Sequence, residues 1–285
     1  MRGYNKGILA LVVSAFVWGF GGVLLKLIYA SGVSVITVLF LSVFVGTVCV
    51  LLFNFKHIDF RPKKEVWKWI LLLSFFGNLT GFCFSYAYKF TTVANAVLLH
   101  YTMPLFAFLI AIFFLKEKIT KWKVFALFFA LAGIFLVFDL KLFSVGFDLA
   151  NLGNLLALFS AVTYAMLIVV SRKLDKVSKF TMYFWNFLFS TILMCFFLPF
   201  GFSLPSVSQL PLLAIYTVIM SYVCVILFYY GAGKVEASRS SIIMLLEAVV
   251  SVIAAYIILH EPLGVLKIVG GLLILIGSLV LILKE

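Results

Sequence analysis

Apolar runs of about twenty residues recur along the whole chain, and short polar segments separate them. A helix of that length crosses roughly 30 Å of hydrocarbon. The runs predict ten transmembrane helices, over residues 7–28, 33–53, 66–88, 92–115, 121–138, 149–171, 180–200, 211–231, 237–259 and 263–283. The expected fold class is therefore an all-α integral membrane protein.

The composition explains why the apolar positions cannot all be hidden in a core. The chain is 65% hydrophobic and 11% charged, whereas about a quarter of the residues of a soluble domain are charged. The lipid bilayer must be the solvent for much of the surface. The net charge of +12 comes from short basic clusters between the apolar runs, which favours topology signals over nucleic-acid binding.

The two halves of the chain resemble each other. In the first helix of each half, Gly7 aligns with Gly153 and Trp18 with Tyr164, and further on Glu117 aligns with Glu261. The segment 139–148 is the natural boundary, so we predict five-helix repeats over residues 1–145 and 146–285. Because five is odd, the second repeat must enter the membrane from the opposite side, which makes the repeats inverted.

The distribution of basic residues predicts the orientation. With a cytoplasmic N-terminus, all but four of the 22 Lys and Arg residues fall on cytoplasmic ends. The four exceptions are Lys26, Lys89, Lys141 and Lys267. Cytoplasmic loops are enriched in Lys and Arg, so both termini are expected to be cytoplasmic, in a plasma membrane of bacterial or archaeal type. Lys26 ends the first predicted helix, where snorkelling to the lipid headgroups explains it at least as well as substrate binding does.

Three segments carry a resemblance to a known family. They are "SAFVWGFGGVLLK" from Ser14, "LLHYTMPLFAFLIAIFFLKEKIT" from Leu98 and "MLLEAVVSVIAAYIILHEPLG" from Met244. The chain resembles the EamA type of the drug/metabolite transporter superfamily along essentially its whole length. The resemblance implies a secondary transporter of small metabolites, often an exporter of amino acids. The chain departs from the family pattern at Ala248, where a proline often follows the glutamate.

Glu247 is the sharpest candidate site, because it lies near the middle of the ninth predicted helix. An ionised carboxylate at that depth costs roughly 3 kcal/mol on insertion scales. The functional interpretation is a proton-coupling group or an anchor for a substrate ammonium. The structural alternative is a hydrogen-bonded glutamate that holds its helix in place. Its counterpart in the first half is Met103, and this asymmetry slightly favours the functional interpretation.

Other polar and aromatic residues inside the apolar runs are weaker candidates for substrate binding. His100 has an imidazole that titrates near neutral pH, although a neutral histidine with a single hydrogen-bond partner explains it as well. Trp18 and Tyr164 would form an aromatic wall for a ligand, or pack in the core. The remaining candidates are Asn78, Asn186 and Tyr101, whose alternative role is hydrogen bonding between helices.

The sequence contains no motif for ATP binding, metal-dependent hydrolysis or a nucleophilic serine. We therefore expect no enzyme activity, no cofactor and no metal. The predicted function is secondary transport of a small molecule by alternating access, with export of amino acids or related compounds and possible coupling to H⁺. Two alternatives stay open: an organic-anion or nucleotide-sugar carrier, and a non-transporting membrane scaffold or sensor. The sequence is compatible with a monomer or a homodimer.

Overall fold

The structure is a computed structural model that describes residues 2–103, 106, 109–110, 120–137, 149–174, 176–232, 234–235 and 237–284. Two sequence predictions lie outside the described residues. One is the boundary segment 139–148 between the proposed halves, and the other is the end of the fourth predicted helix, residues 111–115.

Regular structure in the described residues is helical throughout, with no strand among them. The helices are α1 (Arg2–Trp18), α2 (Gly21–Ala30), α3 (Val35–Asn54), α4 (Lys64–Phe90), α5 (Val93–His100), α6 (Lys121–Val137), α7 (Leu149–Ser171), α8 (Lys179–Cys195), α9 (Leu210–Ala214), a π-helix (Ile215–Val223), α10 (Cys224–Ala232), α11 (Ala237–Leu259) and α12 (Val265–Lys284). Three short 3₁₀ turns lie at Phe55–His57, Arg172–Leu174 and Leu198–Phe200.

Five described segments are long and apolar enough to cross a membrane: Tyr4–Ala30, Val35–His57, Lys64–Phe90, Leu149–Ser171 and Leu210–Phe228. Two shorter apolar helices follow, Leu246–Leu259 and Val265–Gly277. Large apolar side chains such as Leu52, Phe53 and Phe128 are about 70% exposed, as expected for a lipid-facing surface. These features confirm an all-helical membrane protein, while the number of ten spans stays a prediction.

Two of the predicted helices are interrupted. The first breaks at Gly19 and Phe20, between α1 and α2, and the amide of Phe20 donates to the carbonyl of Val17 (3.1 Å) in a tighter turn. The fourth leaves its helix at Tyr101 and Thr102, directly after α5. The proline at position 104 has no N–H to offer the carbonyl four residues earlier. Breaks of this kind free backbone groups in the middle of a bundle.

The helices pack in a few long pairs. α4 lies along α7, α6 along α12, and α3 along α8 and the π-helix, whereas α1 contacts both α10 and α11. On α7, a predicted stripe of small residues is fully buried, including Ala157, Ala161 and Ala165. Small side chains let helix backbones approach closely, which explains the long α4–α7 contact. The larger of two apolar cores surrounds α2 and α5.

Candidate substrate site

Glu247 lies on α11 at the centre of the molecule. Its side chain is half-buried, on a helix that packs against α1, α2 and α5. It makes no ion pair with any side chain that the structure describes. A carboxylate held inside a membrane protein without a cation is costly. It is a ready site for a proton or for the cationic group of a ligand.

Four tyrosines surround Glu247 and lie within electrostatic range of its carboxyl: Tyr88, Tyr101, Tyr164 and Tyr216. We call these five residues the tyrosine–glutamate cluster. The Tyr101 hydroxyl donates to the carbonyl of Met244 (3.0 Å) and lies within hydrogen-bonding reach of Glu247. Tyr164 and Tyr216 are half-buried.

Both helix breaks lie next to the tyrosine–glutamate cluster. Tyr101 occupies the break after α5. At the break between α1 and α2, a Cβ added to Gly19 would lie 2.5 Å from the Cβ of Val250 and 3.2 Å from the carbonyl oxygen of Glu247. The absence of a side chain at Gly19 therefore allows the first predicted helix to touch α11 within one turn of Glu247.

His100 ends α5 and lies beside the cluster. Its Nδ1 is 2.8 Å from the hydroxyl of Ser160. That hydroxyl donates to the carbonyl of Ala157 (2.6 Å), so Nδ1–H is the donor to Ser160 and Nε2 is left as an acceptor. The imidazole stacks on Phe84 at 4.2 Å and meets the edge of Tyr164 at 5.3 Å, both between ring centroids. His100 thus supports the wall that Tyr164 forms.

Trp18 lies at the end of α1, next to the break, with its indole turned to the π-helix. Its Nε1 donates to the carbonyl of Met220 (2.9 Å), and its ring packs against Phe228. A π-helix displaces backbone carbonyls from their usual partners and often marks a functional region. The indole N–H satisfies one of these carbonyls, and Tyr216 projects from the same π-helix into the cluster.

Asn78 and Asn186 are placed away from the cluster, between α4 and α8. The Asn78 amide donates to the carbonyl of Ser74 (2.7 Å) and to the hydroxyl of Ser190 (2.8 Å). The backbone carbonyl of Asn186 accepts from the Ser74 hydroxyl (3.3 Å). Asn78 is ten residues from Tyr88 on the same helix, about 15 Å along its axis. The structure therefore brings together Glu247, Tyr101, Tyr164 and His100, with Trp18 adjacent, and leaves the two asparagines apart.

The structure gives Lys26 a partner within the protein. Its amine lies 3.1 Å from the buried carboxylate of Glu261, in the linker between α11 and α12. The same carboxylate accepts from the backbone N–H of Val93 (2.8 Å) and of Ala94 (3.4 Å) at the start of α5. Glu261 thus caps a helix that lies 168 residues earlier in the chain.

Sequence analysis missed Tyr88, Tyr216 and the partnership of Lys26 with Glu261. A chain with 12 tyrosines and 33 phenylalanines gives single aromatic positions little weight. The sequence does contain one signal that marks Tyr88. It directly precedes Lys89, one of the four lysines that do not fall on the predicted cytoplasmic side. The pairing of α2, α5 and the linker after α11 is tertiary, and only the folded structure reveals it.

An all-helical chain with a lipid-facing apolar surface and a carboxylate surrounded by tyrosines belongs among the helical membrane transporters. Comparison with known proteins specifies this class. The model of the EamA-like transporter family matches residues 5–139 and again 151–283. The chain therefore belongs to the EamA-like transporter family and is a transporter rather than an enzyme.

Individual relatives agree with this assignment. An uncharacterized transporter of Archaeoglobus fulgidus is 28% identical, in an alignment that covers 98% of this chain and 97% of the relative's length. An S-adenosylmethionine uptake transporter of Rickettsia conorii is 30% identical over 79% of this chain and 73% of its own. A chain of known crystal structure is similar with a TM-score of 0.59 at 20% identity, over 95% of this chain and 99% of that chain, which shows a shared fold.

Proposed function

We propose that this protein is a secondary transporter that moves amino acids or related cationic metabolites, in the direction of export, through the tyrosine–glutamate cluster. The observation that carries the proposal is the cation-free carboxylate of Glu247 among four tyrosines. Tyrosine faces attract cations, by about 2 kcal/mol or more where water is excluded. Together with a carboxylate, they form a site for the ammonium group of an amino acid.

The proposed mechanism is alternating access between two inverted halves, residues 1–145 and 146–285. The packing pattern supports it. α1 contacts α10 and α11, while α7 contacts α4 and α5, and these are counterparts in the proposed repeat register. Halves that contact each other in equivalent ways are able to exchange conformations around a fixed central site. The cytoplasmic location of both termini rests on the distribution of Lys and Arg.

Glu247 takes either the substrate cation or a proton in this proposal. Among the described residues, the ionisable groups within electrostatic range of it are the four tyrosines of the cluster and the thiol of Cys224. Neither a tyrosine nor a thiol supplies a positive charge, so in this proposal a ligand cation or a proton neutralises the carboxylate. The name of the Rickettsia relative points the same way, because S-adenosylmethionine is an amino-acid derivative with positively charged groups.

The two other functions have less support. An organic-anion or nucleotide-sugar carrier needs a cationic centre, whereas the described charge at the centre is a carboxylate. A scaffold or sensor has no need for a carboxylate inside the bundle that lacks a described cation, and Glu247 is such a group.

The test is flux in proteoliposomes, measured in both directions with a panel of amino acids, their amines and S-adenosylmethionine. Glu247→Gln keeps the shape of the side chain and removes its charge, so we expect cationic substrates to lose at least about tenfold in transport. Any dependence of flux on a pH gradient should disappear with it. The matched control is Glu65→Gln, at an exposed position in the first turn of α4.

Two results would contradict the proposal. Unchanged flux and pH dependence in Glu247→Gln would refute the role of that residue. Absence of flux for every compound in the wild-type protein would refute the substrate class. Uptake without export would correct the direction alone.

A further inference from the structure

A cavity of about 260 Å³ opens at the end of the bundle where α2 and α4 end. Its lining is Lys26, Tyr29, Ala30, Tyr88 and Lys89. We call it the Lys26–Lys89 cavity. It holds two of the four lysines that depart from the charge rule of the sequence, and the predicted function gives neither of them a role.

The charge balance around this cavity is positive. Glu261 is the acidic group in contact with Lys26, but its carboxylate is already bound by the N–H groups of Val93 and Ala94 at the start of α5. Lys26 has three N–H donors, and the contact with Glu261 leaves donors for a second anion. Lys89 is exposed, with its amine 6.0 Å from the ring of Tyr86, and pairs with no described carboxylate.

The lysines are the charged groups of this lining, because the Tyr29 hydroxyl is fully buried beside Ser85 and does not open onto the cavity. Two ammonium groups suit an oxyanion with several acceptor positions.

Tyr88 joins the cavity to the tyrosine–glutamate cluster. It lines the cavity and lies within electrostatic range of both Glu247 and Glu261. Lys26 is seven residues beyond Gly19, whose backbone meets Glu247, which corresponds to about 10 Å along the helix axis. The positive cavity and the negative centre are therefore neighbouring but separate positions along one path.

We propose that the Lys26–Lys89 cavity is a carboxylate-binding subsite, which takes the anionic end of a metabolite whose cationic group is bound at Glu247. This inference rests on the proposed function and specifies its substrate as a compound with both charges. A small amino acid occupies the two positions one after the other, and a compound long enough to reach both bridges them. The subsite selects acids over esters, and Glu247 selects cations.

The test compares acids with their methyl esters as competitors of transport. The vesicles consist of phosphatidylcholine alone, so that no anionic headgroup occupies the lysines. In the wild type we expect each amino acid to compete about tenfold better than its methyl ester. Lys89→Gln should bring this ratio close to one, because it removes a charge from the subsite. Glu247→Gln should weaken acid and ester alike and leave their ratio intact.

The control is Lys68→Gln, the same substitution on the same helix α4 but 21 residues away, roughly 30 Å along the axis. Both lysines are exposed, so neither variant should disturb folding, and thermal unfolding checks this. An acid–ester ratio near one in the wild type would overturn the subsite, as would a ratio that survives in Lys89→Gln. Both results presuppose measurable flux, whereas an inactive wild-type protein would overturn the proposed function itself.

Discussion

Replacement of Gly19 by alanine tests how the break between α1 and α2 positions Glu247. The new Cβ would lie 2.5 Å from both the Cβ and the Cγ1 of Val250, whereas ordinary contact begins at 3.4 Å. The closest atom is a Cβ fixed to the backbone of α11, so no side-chain rotation relieves the clash. The two segments must separate by about 1 Å, since a packed interior has no free volume to absorb the difference.

The cost follows from this separation. Extra methyl groups in a packed interior typically cost about 1–3 kcal/mol. In a chain of this size each kcal/mol lowers Tm by about 2–4 °C, so Gly19→Ala should lower Tm by roughly 2–12 °C. Since Glu247 belongs to the displaced turn, transport should fall more than the loss of folded protein explains. The assays are thermal unfolding in detergent and flux per folded molecule.

Gly21 supplies the matched control, because a Cβ added there meets nothing within 4 Å. Gly21→Ala should be neutral or slightly stabilising, since alanine is the better helix former. A second pair of variants isolates the contact. Adding Val250→Gly to Gly19→Ala removes the opposing Cβ and should restore transport, whereas adding Val250→Ala keeps that Cβ and should not. Equal stability and transport in Gly19→Ala and Gly21→Ala would refute the reasoning.

Two further predictions concern residues outside the central cluster. Glu261→Gln removes the ion pair with Lys26, which is 27% exposed, and places an amide NH₂ near backbone donors. We expect it to lower the free energy of unfolding by about 2 kcal/mol, against less than about 1 kcal/mol for the exposed control Glu65→Gln. Equal losses in the two variants, measured by thermal unfolding, would contradict the capping role of Glu261. Asn78→Ala should lower the free energy of unfolding by about 1 kcal/mol, because it loses the hydrogen bond to Ser190, and should leave the flux per folded molecule unchanged. A loss of flux without a loss of stability would show that Asn78 contributes to the substrate site.

Much of the fold was predictable because lipid imposes a strong pattern. A bilayer requires long apolar helices with internally satisfied backbones, so the run from 149 to 171 predicted α7 to the residue. The interruptions were harder to predict. The segment from Gly7 to Leu25 has no charged residue, and its break at Gly19 coincides with a contact to Val250 that the local sequence does not reveal. The π-helix at Ile215–Val223 likewise gives no signal in hydropathy.

Some residues of the candidate site were predictable from the sequence and others were not. Glu247 was predictable, because a charge inside an apolar run departs from what lipid tolerates. Tyr88 and Tyr216 were not, because tyrosine is compatible with a core, a cavity or a membrane interface. Asn78 and Asn186 resemble Glu247 as polar residues in apolar runs. Yet an amide is able to find a partner on a neighbouring helix at little cost, as Asn78 does with Ser190, whereas the buried Oδ1 of Asn186 has no described hydrogen-bond partner.

The cap that Glu261 places on α5 has a consequence for the order of assembly. The N–H groups of Val93 and Ala94 enter the membrane early in synthesis, but their acceptor lies 168 residues later in the chain. Until residue 261 is made, the start of α5 lacks this partner and Lys26 lacks its counter-charge. We therefore expect α5 to gain its final anchor only after residue 261 has been synthesised. A fragment that ends before residue 261 should insert its helices and still leave α5 loosely anchored, whereas the full chain should hold α5 in place.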